Sequence, residues 1–468
     1  ETSTLPEPGK VQGKAPQVKV PSDVEAGRLP ALPGTAAPAA TSSNSSSTTT
    51  VTNSATLNPA STKPSPAGAM LGANVNSDSA KQSTTSAHGA SLVISAPAPV
   101  PLVSIYRGSQ TVPQELTLPN GLKVLILENH EFPVVSTLVW YKVGSRDERA
   151  GATGLSHMVE HLMFQEVGQF KSGEIGTTIA RMGGQFNGYT SDDFTTFFET
   201  LPSSRLELAL KIESERMAHT RFSDSEVKAE VENIQREFLN ETKDPAALLS
   251  KELRSVLFTH HPYHNPTIGW KSDVEGLTAE HAREFYKKFF RPNNATLVIT
   301  GDVNGKNAIA LVQKYFAPIV GSKATVAHVQ VNEPFPHAER KVNLKYGGNK
   351  EVLQVAYRAP AMEDADAPAM VVIERLLNGG HFGRLRSKLV DAHVCSYAQA
   401  NYEIKKDPGL FTLTCTAIPA TPNAQAKILE NLDSVLAQLR EKVPSDAEIR
   451  RARNQAEFAY YSECDGPY

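Results

Sequence analysis

At 468 residues, with 47 Lys and Arg against 50 Asp and Glu, the chain carries a formal charge of −3. That balance excludes a nucleic-acid binder built on a basic surface and a protein with an acidic tail. Three scattered cysteines without a C-x-x-C pair argue against a disulfide framework and a thiolate metal site. No apolar run reaches the roughly 18 residues of a membrane-spanning helix.

Residues 1–105 are rich in Ser, Thr, Pro and Ala and poor in large apolar side chains. Such a segment cannot bury enough surface to offset its ordering entropy, so a disordered leader is expected. The chain begins with Glu1, which suits either a removed secretion signal or a trimmed sequence. The leader composition suits an extracytoplasmic tether, with a cytosolic linker as the other option.

Beyond residue 112 the texture changes. "QELTLPNGLKVLILEN" reads as two short strands around an Asn-Gly turn. "PVVSTLVWYKVGS" (133–145) is a buried-strand run, and Gly154–Phe164 is helical. Residues 183–202 alternate as paired strands do, and 203–219 and 223–243 read as helices, with Ser223 and Asp224 as candidate N-caps of the second. "TAEHAREFYKKFF", "NATLVITGDV" and "GKNAIALVQKYFAPI" follow as helix, strand and helix. These elements form an α+β unit that ends near Val320.

A second unit repeats the first in degraded form. "SDSEVKAEVENIQREFLNETKDP" starts at Ser223, and "SDAEIRRARNQAEFAYYSECDGP" starts at Ser445, an offset of 222 (445 minus 223). Glu226 meets Glu448, Phe238 meets Tyr460 and Pro245 meets Pro467, but Glu230 meets Ala452 and Glu237 meets Ala459. Copies that share scaffold positions and differ at acidic ones suggest that only the first carries chemistry. The first copy continues past Pro245 with further elements, so the second half is expected to be incomplete. The expected fold is therefore α+β. It has two homologous halves of antiparallel or mixed sheet, each with helices packed on one face, over 106–325 and 326–468.

"GLSHMVEHLMF" (154–164) carries His157, Glu160 and His161 as H-x-x-E-H. On a helix, positions i and i+4 share one face, so both imidazoles reach one ion and Glu160 lies beside them. A catalytic zinc site takes three protein ligands and leaves a fourth position for water. Glu237, 76 residues beyond His161 (237 minus 161), supplies the third ligand, because it is one of the acids that the second copy lacks. Glu230, two helical turns earlier on the same face, would orient a ligating histidine. Glu160 would be the general base. The competing reading of these residues is an ordinary charged helix surface.

H-x-x-E-H with a glutamate about 75 residues later resembles the inverted zinc motif of the pitrilysin/insulinase metallopeptidases. "LPNGLKVLILEN", "YKVGSRDE", "TGLSHMVEHLMF" and "RPNNATLVITGDV" are similar to that family's mitochondrial-processing-peptidase-like bacterial branch. The resemblance runs from about Glu115 to the C-terminus. It implies one Zn2+ held by His157, His161 and Glu237, and two α+β halves that face another pair across a closed chamber. It also implies that a peptide substrate binds as an added strand beside Asn187, Gly188 and Tyr189, although Asn187-Gly188 also suits a simple turn. Relatives supply an Arg and a Tyr, seven residues apart, to hold the substrate carbonyl. Here Tyr397 falls on the tyrosine position, unless it is only a core residue, while Val390 occupies the arginine position.

The resulting expectation is a zinc-dependent endopeptidase that hydrolyses peptides or unfolded segments in the periplasm or cell envelope. A homologous partner subunit would carry the Arg/Tyr pair. The alternative is a non-catalytic or partner-dependent structural subunit of a heteromeric peptidase-like complex. A metal-storage role has little support, because a three-ligand site suits catalysis better.

Overall fold

Six strands build the sheet that carries the candidate site. They are β1 (Gln114–Thr117), β2 (Lys123–Glu128), β3 (Val134–Tyr141), β4 (Gln185–Thr190), β5 (Thr195–Pro202) and β6 (Ala295–Gly301). Their spatial order is β1-β2-β6-β3-β5-β4. The computed structural model describes residues 112–321, 326–348, 350–419 and 422–464. The leader expected over 1–105 lies outside the described residues.

The β1–β2 hairpin is the one that the Asn-Gly turn predicts. Gly121 has φ 91°, and a Cβ there would come within 2.7 Å of the Asn293 side chain, so the turn and its packing both require glycine. β6 lies between β2 and β3, parallel to the first and antiparallel to the second. β4 pairs only with β5 among the described residues, which leaves its other edge unpaired.

The helices of this half are α1 (Leu155–Leu162), α2 (Glu174–Arg181), α3 (Leu206–His219), α4 (Asp224–Glu241), α5 (Pro245–Leu257), α6 (Lys271–Glu275), α7 (Ala279–Phe289) and α8 (Gly305–Phe316). The sequence reading lacked α2, α5 and α6. α1 buries Leu155, Met158, Val159 and Leu162, one helical face, in the core shared with β3, α4 and α7. Its opposite face carries His157 and His161.

The second half has β7 (Val352–Arg358), α9 (Ala367–Asn378), β8 (Cys395–Tyr402), β9 (Leu410–Ala417), α10 (Ala424–Glu441) and α11 (Asp446–Cys464). Its described strands form a three-stranded sheet in the order β7-β9-β8, over a separate core that includes Leu377, Leu389, Leu413 and Ile428. The fold is α+β, with a mixed sheet in the first half and an antiparallel one in the second.

Both halves lie in one unit, Val100–Tyr468, and a polar cluster joins them. The β4–β5 turn contributes Asp192 and Asp193, and the β8–β9 turn contributes Lys405, Lys406 and Asp407. Arg254 on α5 donates to Asp192 at 3.0 Å and to Glu403 at 3.3 Å, and Lys405 also pairs with Asp192. Arg146 bridges Asp193 at 3.0 Å and Asp407. The Lys406 backbone N–H donates to Asp193 at 3.0 Å. Burial works to raise the Asp192 carboxyl, but the Arg254 and Lys405 cations win and hold it down at about 2.

Candidate metal centre

Four side chains from two helices converge. His157, Glu160 and His161 come from α1, and Glu237 from near the C-terminal end of α4. One donor atom from each of His157, His161 and Glu237 lies within 4.8 Å of the other two. The Nε2 atoms of His157 and His161 are 3.7 and 3.9 Å from the Glu237 carboxylate oxygens. These separations are too long for hydrogen bonds. They approach the roughly 3.3 Å between neighbouring donors that sit about 2 Å from one tetrahedral cation.

The donor set of two imidazoles and one carboxylate suits zinc. Burial, with a smaller contribution from His161, pushes the His157 imidazole down to about 3, so it is neutral and keeps a lone pair. Its Nδ1 is buried and makes no hydrogen bond among the described residues.

Glu230 acts one step back. Its carboxylate, only 4% exposed against 45% for Glu237, accepts from His161 Nδ1 at 3.1 Å, Gln165 Nε2 at 2.8 Å and Asn233 Nδ2 at 2.9 Å. Burial opposes its ionisation, but those hydrogen bonds outweigh it and hold the carboxyl below its ordinary value. A proton on His161 Nδ1 leaves the Nε2 lone pair facing Glu237, which is the tautomer a ligand needs.

Glu160 is 6% exposed, and Thr190 at the end of β4 donates to its Oε2 at 2.8 Å. Burial raises the Glu160 carboxyl, which suits a group that accepts a proton near neutral pH. Thr190 ties the acid to the edge strand. Sequence reasoning missed this contact, which spans 30 residues and has no spacing signal.

The expected substrate residues lie on β4. Asn187 and Gly188 pair with Phe198 and Phe197 of β5, so they are strand residues and not a turn. Asn187 and Tyr189 are exposed and Gly188 is buried. A Cβ on Gly188 would come within 3.0 Å of the Phe164 and Phe197 rings. Tyr397 sits on β8, 47% exposed, with its hydroxyl donating to Gln399, so it is not a core residue. Val390 packs partly buried against the second core.

The chain resembles known proteins over most of the described region. Residues 123–271 match the model of Insulinase (Peptidase family M16), and residues 276–456 match that of the Peptidase M16 inactive domain. The chain is 28% identical over 359 residues to zinc protease PqqE of Helicobacter pylori, a match that covers 75% of this chain and 80% of the relative. It is 23% identical over 384 residues to the probable mitochondrial-processing peptidase subunit beta of Arabidopsis thaliana, over 79% and 71% of the two chains. Among solved structures, a protease from Helicobacter pylori superposes with a TM-score of 0.72 at 27% identity, covering 76% of this chain and 86% of that one. The periplasmic protease PqqL from Escherichia coli shares the fold with a TM-score of 0.59 at 24% identity, covering 73% of this chain but 39% of that longer one. With two adjacent family models matched in order, the chain belongs to the insulinase family of peptidases, peptidase family M16.

Proposed function

We propose that this chain is a zinc-dependent endopeptidase that hydrolyses peptides or unfolded protein segments bound as an added strand. The observation that carries the reading is the convergence of His157, His161 and Glu237, with Glu160 buried beside them. These three would hold one Zn2+, which when bound supplies Lewis acidity to a carbonyl and acidifies water. Glu160 accepts the proton from the attacking water and returns it to the departing amine. Thr190 holds one Glu160 oxygen so that the other faces the reacting atoms. Glu230 fixes the His161 tautomer. The unpaired edge of β4, at Asn187, Gly188 and Tyr189, offers backbone groups to an extended peptide.

In this reading residues 106–325 are the catalytic half and 326–468 the degenerate one. The halves face a homologous partner subunit across a closed chamber, in the periplasm or cell envelope. Two observations favour the partner. Val390 stands at the arginine position, and Tyr397 lies in the second half's own sheet. Among the described residues no helix is long and apolar enough to cross a membrane.

Metal analysis of the purified chain should return about one zinc per molecule. Glu160→Gln should keep that zinc and lose peptide cleavage by about a thousandfold. A wild-type chain without zinc would end the reading. The isolated wild type should cleave poorly until a homologue with an Arg/Tyr pair is added, and full activity alone would remove the partner from the account. The alternative, a structural subunit without catalysis, predicts no cleavage with any such partner.

A further inference from the structure

α1 is two turns long, and a helix that short is not stable by itself. It leaves unpaired N–H groups at one end and carbonyls at the other. Its N-cap position is Gly154, which has no side chain to cap with. Glycine is required there: φ is 82°, and a Cβ would come within 2.6 Å of the Ile268 carbonyl oxygen. The cap therefore comes from outside the helix. The Glu148 carboxylate accepts from the Gly154 N–H at 2.8 Å and the Ser156 N–H at 2.7 Å, one oxygen to each.

The far end is held in the same manner, by a donor. Arg216 on α3 donates Nε–H to the Met163 carbonyl oxygen at 3.2 Å, and Met163 is the C-cap of α1. The guanidinium is fully buried and pairs with Glu199 at 3.1 Å and with Glu213. It stacks 4.9 Å from the Phe164 ring and 4.6 Å from the Phe197 ring. Burial pushes the Glu148 carboxyl up to about 8 against the pull of its backbone N–H donors, so it serves the N-terminus as a hydrogen-bond acceptor, while Arg216 serves the C-terminus as a donor. Burying ionisable groups is costly, so Glu148 at one end and Arg216 with Glu199 and Glu213 at the other are poor core filler.

We propose that Glu148 and Arg216 are positioning residues, a buried acceptor and a buried donor that grip α1 at its two ends and fix the rotation and height of His157, Glu160 and His161. A ligand displaced by about 1 Å loosens a metal site, so the grip is read in metal affinity. The inference rests on the reading that His157, His161 and Glu237 bind zinc, and failure of wild type to take up zinc marks a failure of that reading alone.

The test uses the full chain and Glu148→Gln, which keeps the side chain's size but puts an NH2 donor where one of the two acceptor oxygens stood. Zinc affinity, measured by competition with a chromophoric chelator, should fall about tenfold. The visible spectrum of the cobalt-substituted protein should change, and the Gly154 and Ser156 amides should exchange faster. Thermal unfolding of the zinc-free variant shows whether the fold is retained. A lower melting temperature with unchanged zinc affinity and cobalt spectrum makes Glu148 merely structural and overturns the proposal. If Glu148→Gln does not fold, Glu148→Asp is read by the same measurements, since it keeps both acceptor oxygens and withdraws them by one methylene. Arg216→Lys, which keeps the charge without the fork, should lower the affinity as well. Wild-type affinity in a folded Arg216→Lys overturns the C-terminal half of the grip.

Discussion

α4 in the first half and α11 in the second are built alike and equipped differently. Both open with the same capping box: Ser223 and Glu226 exchange hydrogen bonds at 3.0 and 3.2 Å, Ser445 and Glu448 at 3.0 and 3.4 Å. Further along, α4 presents Glu230 and Glu237 where α11 has Ala452 and Ala459. Phe238 is 9% exposed, whereas its counterpart Tyr460 is 63% exposed. The start signal of the helix and its acidic face are thus separable. Capping energy belongs to the scaffold, while the buried Glu230 carboxylate depends on the hydrogen bonds that His161, Gln165 and Asn233 donate to it.

Making α4 resemble α11 should give the largest effect. Glu237→Ala should abolish zinc binding in metal analysis and cut peptide cleavage by about a thousandfold or more. The reverse change, Ala452→Glu, puts a carboxylate at a position 1% exposed. It should destabilise the chain by about 3 kcal/mol in urea unfolding, with no gain of metal, because the only ligand group among the described residues is His157, His161 and Glu237. If Ala452→Glu is neutral, the two faces differ less than their burial implies.

The cluster that joins the halves also answers to the solvent proton. The Asp192 carboxyl, held at about 2 by Arg254 and Lys405 against its burial, has a folded value below its ordinary 3.8. Its stabilising contribution is complete above that ordinary value and is lost as pH falls towards the folded one. The loss is about 2 kcal/mol. Asp192→Asn should flatten that part of the stability profile in urea titrations between those limits. The smallest effect is expected from Thr190→Val, which frees one Glu160 oxygen. It should lower kcat about tenfold with little change in KM, in steady-state peptide assays.

Much of the first half was legible because its signals are local. The Asn-Gly turn, the alternation over 183–202 and the Ser223 cap each act within a few residues. The pairing of His157 with His161 follows from helical periodicity alone. Glu237 became visible only through comparison with Ala459, since a single acid on a charged helix carries no signal. Glu148, Thr190 and Arg216 were not legible. Their partners lie 6, 30 and 53 residues away, across a loop, a strand and a helix. The cluster of Arg146, Asp193 and Asp407 was hidden for the same reason, because contacts across the halves leave no period in the chain. α2 and α6, of 8 and 5 residues, were missed because helices so short read as connections, whereas α5 was passed over although Asp244 and Pro245 mark its start.

The position of β6 has a consequence for synthesis. The strand that occupies the middle of the sheet is made last, about 170 residues after the β2 it lies beside (Thr296 against Lys123). Until Ala295–Gly301 has left the ribosome, β1–β2 and β3–β5–β4 are separate pieces with open inner edges. Such edges attract other chains, and long-range closure is slow. A nascent chain interrupted before Gly301 would have both imidazoles and both α4 glutamates yet no closed sheet beneath them, and it would be a client for chaperones.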